Sequence, residues 1–160
     1  MGSKGIYNLT YGMYLLTCKE DSRDYGCLVN TVMQVSSKPE RIAVCVVKRN
    51  LTHEILQRTG CFNLSTITTD APYSLFRTFG MTSCRKADKF ADFPDPARSA
   101  NGLIYTSRFS NMYLSARITE QLDLGDHTLF IAQITEDVVL NQKSACTYDY
   151  YLQNIQPKRT

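Results

Sequence analysis

Gly26-Cys27-Leu28-Val29-Asn30-Thr31-Val32-Met33-Gln34-Val35-Ser36 interleaves bulky strand-forming residues with uncharged donors and acceptors. Leu28, Val29, Val32, Met33 and Val35 suit a pleated, half-buried surface, and Asn30, Thr31, Gln34 and Ser36 can hydrogen-bond a polar ligand along it. The stretch reads as a strand over Cys27 to Val35 at a sheet edge that binds something. An ordinary strand with polar edges is the other reading.

Outward from it, further β-branched and aromatic runs follow between turn signals: Met13 to Cys18, Ile42 to Val47, Phe62 to Ile67, Met112 to Ile118 and Thr128 to Ile134. They predict a mainly antiparallel β fold. Leu51 to Thr59 predicts a short helix, capped by Asn50 and stopped at Gly60, with Leu51, Ile55 and Leu56 on one face. A second short helix is expected between Pro72 and Gly80. Arg85 to Gly102 is polar and broken by Pro94 and Pro96, which predicts an extended surface loop.

The 160 residues suffice for one domain, 1–160, with a packed core that needs no staples. None of the six cysteines forms a Cys-x-x-Cys pair, so no zinc ribbon or thioredoxin-like motif is present, and most read as small core residues. A net charge of +3 from dispersed Lys and Arg is too small to argue for a nucleic-acid surface and leaves room for small anionic ligands. No apolar run reaches the roughly 18 residues of a membrane span and no secretory leader is evident, so a reducing cytoplasm is the expected location. Gly2 and Ser3 read as a remnant of cloning.

Lys48-Arg49-Asn50-Leu51-Thr52 places cations, an amide and a hydroxyl at a helix N-terminus, where free N–H groups and the helix dipole favour a phosphate. Alternatively Asn50 only caps the helix while Lys48 and Arg49 are solvated. Gly125-Asp126-His127-Thr128 is a turn leading into a strand, with His127 at the strand mouth. The other histidine, His53, lies in the first turn of the helix. Neither has a triad or metal set nearby in sequence.

Taken in order, Gly-x-x-x-Asn-Thr-x-x-Gln-Val-Ser from Gly26, Lys-Pro from Lys38, Lys48 to Thr52, Thr59-Gly60-x-Phe62, Phe79-Gly80 and Gly-Asp-His from Gly125 resemble the flavin reductase-like family. That resemblance implies a split β-barrel with short peripheral helices that binds FMN as a homodimer, the cofactor lying near the subunit interface. It implies that Asn30, Thr31, Val32, Gln34 and Ser36 line the isoalloxazine and ribityl chain, and that Lys48, Arg49, Asn50 and Thr52 hold the phosphate. His127 is then the candidate catalytic residue, positioning a nicotinamide or other electron partner. Ser83, Arg85, Lys86 and Lys89 are implied as further phosphate or partner contacts.

The chain is most similar to the flavoredoxin-like group and to the flavin domain that accompanies rubredoxin in some anaerobes. Tyr148-Asp149-Tyr150-Tyr151 resembles that group's aromatic tail, and packing on the barrel is its expected role. Rubredoxin iron needs two Cys-x-x-Cys knuckles, which this chain lacks, so electrons are expected to leave to a separate acceptor. The implied chemistry runs from NADH or NADPH through FMN to that acceptor, with the flavin as the reactive group. Two other readings stay open: an electron-transfer module reduced by a partner protein without direct nicotinamide binding, and a split barrel that has lost its flavin.

Overall fold

The computed structural model describes residues 4–158; Gly2 and Ser3 lie outside the described residues. After a 3-10 turn (Gly5–Asn8) come β1 (Tyr14–Glu20), β2 (Arg23–Val29), β3 (Val32–Ser37), β4 (Glu40–Val47), α1 (Leu51–Thr59), β5 (Cys61–Ile67) and α2 (Tyr73–Met81). The chain continues through β6 (Pro96–Arg98), β7 (Ile104–Thr106), β8 (Ser110–Asp123), β9 (His127–Val139), α3 (Tyr148–Tyr150) and a π-helical turn (Tyr151–Ile155). No helix among the described residues is long and apolar enough to cross a membrane.

Seven strands form one antiparallel sheet in the order β2-β1-β5-β8-β9-β4-β3. Its two edge strands, β2 and β3, are consecutive in the chain and joined only by Asn30-Thr31. The sheet must therefore curl until its edges approach, and the seam between β2 and β3 stays unbonded. The Cys45 N–H donates to the Thr31 carbonyl at 3.0 Å, fastening the joint to β4. The result is the split barrel, mainly β with short peripheral helices, that the sequence led us to expect.

Period-two alternation fills the barrel. Leu16 and Cys18, Cys27 and Val29, Ile42, Val44 and Val46, Phe62 and Leu64, and Phe130 and Ala132 all belong to one buried cluster, joined by Ile55 and Leu56 of α1. The opposite face of β1 buries Leu15 in a second cluster with Ile67, Phe76, Phe79 and Phe93, which seats α2 outside the barrel. α1 occupies the predicted range and ends at Gly60, whose φ of 69° lies in the left-handed region that glycine tolerates and whose N–H bonds the Leu56 carbonyl.

Three expectations are corrected. The strand expected over Cys27 to Val35 is two strands, because the chain turns at Asn30-Thr31 and changes partner from β1 to β4. The expected surface loop after Arg85 carries β6, and Phe93 is buried in the second core with Phe90 packed against it. Gly26 is tied to that packing: a Cβ there would lie 3.1 Å from both the Leu16 carbonyl oxygen and the Phe90 ring. Asn50 stands at the N-cap position of α1 but its side chain makes no cap hydrogen bond; its carbonyl accepts the His53 N–H at 3.0 Å.

Candidate functional site

β4 ends at Val47, opposite His127 on β9, and the Lys48 N–H then bonds the Asp126 carbonyl at 2.9 Å. The segment Lys48 to Thr52 is thereby turned across the barrel end toward the Asn30-Thr31 joint. Between that joint and α2 lies a cleft of about 440 Å³. Asn30 and Arg49 line it, together with Leu28, Phe76, Gly80, Met81, Tyr148 and Tyr151. Arg49 makes no ion pair among the described residues, so its guanidinium is available at the cleft.

The remaining predicted residues are distributed differently. Lys48 is paired with Asp123 at 2.7 Å, and that hydrogen bond holds the Asp123 carboxyl below its usual range. Thr52 is buried, with its hydroxyl 3.8 Å from Cys84 Sγ. Beneath it burial pushes the Cys27 thiol up to about 11, against the opposing pull of the Lys89 ammonium and the Thr52 and Asn50 side chains. Val32 and Gln34 line a separate cleft with Tyr14, Ile42, Asn111 and Met112. The Gln34 amide donates to the Ser36 carbonyl at 3.4 Å across a bulge in β3, and Thr31 Oγ1 lies 3.3 Å from Asn30 Oδ1.

His127 lines neither cleft; its Nδ1 lies 2.8 Å from the Asp126 carboxylate, which fixes the ring at the strand mouth. Two of the downstream cations, Arg85 and Lys89, are engaged as well. Arg85 pairs with Glu54, and the buried Lys89 donates to the Gly26 and Phe79 carbonyls at 3.0 and 3.3 Å. The structure thus brings Asn30 and Arg49 together in one cleft and leaves Val32, Gln34 and His127 outside it. Sequence reading missed the walls from α2 and the C-terminal segment, for which the aromatic run at Tyr148 to Tyr151 was the available signal.

The chemistry of this cleft is defined by its donors. It pairs a free guanidinium and a primary amide with aromatic and thioether walls, a set suited to a planar polar ring carrying an anionic group. A flavin reductase like domain model matches residues 6–155. The chain belongs to that family.

Among its relatives, a high molecular weight rubredoxin of Moorella thermoacetica is 40% identical over 96% of this chain and 66% of the relative's own length. The chain therefore spans just under two thirds of that protein. A ferric-chelate reductase (NAD(P)H) of Archaeoglobus fulgidus is 31% identical over 95% of this chain and 90% of its own. The flavin reductase component of a bacterial two-component tryptophan halogenase superposes with a TM-score of 0.79 at 24% identity, covering 90% of this chain and 89% of that one, a likeness of fold. Family membership and the cleft's donor set point to flavin-related oxidoreduction.

Proposed function

We propose that the protein is an FMN-dependent oxidoreductase that takes electrons from NADH or NADPH and delivers them to a separate acceptor. The observation that carries this reading is the Asn30–Arg49 cleft in a flavin reductase-like barrel. A single free guanidinium in an open cleft that also presents Phe76, Tyr148 and Tyr151 fits one terminal phosphate and one planar heterocycle, which favours FMN among flavins. Bound flavin supplies hydride acceptance from the nicotinamide and electron release to the acceptor.

The chain's own residues hold and orient. Arg49 binds the phosphate, the Asn30 amide hydrogen-bonds the heterocycle's polar edge, and Leu28, Phe76 and Met81 exclude water. Lys48, Asn50 and Thr52 act through placement: their ties to Asp123, to the first turn of α1 and to Cys84 fix the segment that presents Arg49. Thr31 of the joint and Val32, Gln34 and Ser36 of β3 shape the neighbouring wall outside the cleft, and His127, steadied by Asp126, positions the nicotinamide at the rim. We place the protein as a homodimer, on the support of exposed apolar side chains along β3.

One test decides between donor classes. Anaerobic stopped-flow mixing of the FMN-loaded protein with NADH or NADPH is expected to bleach the flavin absorbance. The identity to a rubredoxin whose length exceeds this chain's favours a second reading, an electron-transfer module reduced by a partner protein. Flavin that binds but is bleached by neither nucleotide would select it. Arg49→Ala is expected to weaken FMN binding about tenfold to a hundredfold while leaving riboflavin binding nearly unchanged, since a charge-assisted hydrogen bond is lost with the phosphate contact.

A further inference from the structure

Tyr148-Asp149-Tyr150-Tyr151 has so far only a packing role, yet its geometry does more than fill space. Tyr151 is 5% exposed and stacks on Phe76 of α2 with ring centroids 4.6 Å apart and planes 27° apart. Tyr148 lies nearly parallel to Tyr151, at 6.2 Å and 21°, and stays 38% exposed. The three rings form a ladder rooted in the second core and ending on an accessible ring.

That outer ring is held in place without being buried. The Tyr148 N–H donates to the Tyr11 carbonyl at 2.9 Å, the Cys146 N–H to the Ile67 carbonyl at 2.7 Å, and the Tyr150 N–H to Thr147 Oγ1 at 3.0 Å. The chain then widens into the π-helical turn, closed by the Gln156 N–H on the Tyr151 carbonyl at 2.8 Å, a local geometry frequent at functional sites. Tyr148 lines the Asn30–Arg49 cleft and also borders an adjoining cavity of about 730 Å³ on the N-terminal side.

We propose that Tyr148 is the stacking residue of this site: it receives the planar heteroaromatic ring of a ligand whose phosphate is held by Arg49. The inference rests on reading the cleft as a ligand site of the proposed oxidoreductase. Two sources share the required chemistry, a flavin mononucleotide and a nicotinamide dinucleotide. Stacking supplies ring selectivity, and the free guanidinium supplies the preference for an anion.

Calorimetric titration of the full chain with FMN, riboflavin, NADH and NADPH, for wild type, Tyr148→Phe, Tyr148→Leu and Tyr148→Ala, tests it, with circular dichroism confirming each fold. Tyr148→Phe is expected to bind within about twofold of wild type, whereas Tyr148→Leu and Tyr148→Ala lose about tenfold. A loss shared by FMN and riboflavin identifies the flavin ring as the stacked group; a loss confined to NADH and NADPH identifies the nicotinamide nucleotide. Either supports the proposal, and the second does so even if wild type fails to bind FMN and the flavin reading falls. Wild-type affinity for every ligand in a folded Tyr148→Leu overturns it, as does failure of wild type to bind any of the four. In the former case FMN binding by wild type still upholds the flavin site.

Discussion

His53 is nearly buried, with its ring tilted over Phe130 at 5.6 Å and Nε2 2.8 Å from Thr128 Oγ1. Burial, aided by the nearby Lys48 ammonium, lowers its pKa from the ordinary histidine value. Because the folded value lies below the unfolded one near about 6.5, the unfolded chain binds more protons in the interval between them. Stability is therefore fully present above about pH 6.5, declines as pH falls toward the depressed folded value, and levels off below it. Thermal melts at pH 7.5 and pH 5 are expected to show a larger fall in Tm for wild type than for His53→Gln, which is neutral throughout. Equal falls would assign the acid sensitivity to other groups.

At the scale of elements, the β6–β7 ribbon is fastened to the barrel through Asn63 of β5, which is fully buried. Its amide donates to Ser99 Oγ at 2.7 Å and the Leu103 carbonyl at 3.1 Å, while its oxygen accepts from Asn101 and Ser115 at 3.0 and 2.8 Å. The same corner holds Glu136, which accepts the Tyr113 hydroxyl at 2.7 Å; burial and that carboxylate push Tyr113 up to about 12. Asn63→Ala leaves several of these groups unpaired, so urea unfolding is expected to show a loss of about 3 kcal/mol, with amide exchange accelerating first at Ile104 and Thr106. None of this was legible beforehand. Asn63 sits in the apolar run Phe62 to Ile67, whose pattern announces a strand but not the partner of its one amide. Likewise Phe90 and Phe93 lay hidden among charges, whereas α1 was readable because its apolar stripe and terminal glycine are local signals. Asn30 and Arg49 were legible as candidates from motif order; Phe76 and Met81 were not, and the run at Tyr148 to Tyr151 was legible only as packing, since only the folded chain brings α2 and the C-terminal segment to the cleft.

For the whole molecule, the split in the barrel leaves β3 as an edge strand of the sheet. β3 is hydrogen-bonded on one side only, by β4, and it projects Met33 and Val35 outward at 63% and 46% exposure. An edge strand with exposed apolar side chains is a template for association unless charge, proline or another surface covers it. On β3 itself no charged residue or proline does so, because Lys38 and Pro39 fall in the turn beyond its end. A second copy is the economical cover, since a two-fold contact buries each exposed residue twice and removes both edges at once. Sedimentation at micromolar concentration is expected to give a dimer. Met33→Glu combined with Val35→Glu is expected to raise its dissociation constant at least ~100-fold, because each protomer would carry unpaired carboxylates into the contact. If that doubly substituted chain keeps its circular dichroism spectrum and still sediments as a dimer, the interface lies elsewhere, with the exposed Leu122 and Leu124 of the β8–β9 hairpin the next surface to substitute. A wild-type monomer at that concentration would instead refute the homodimer.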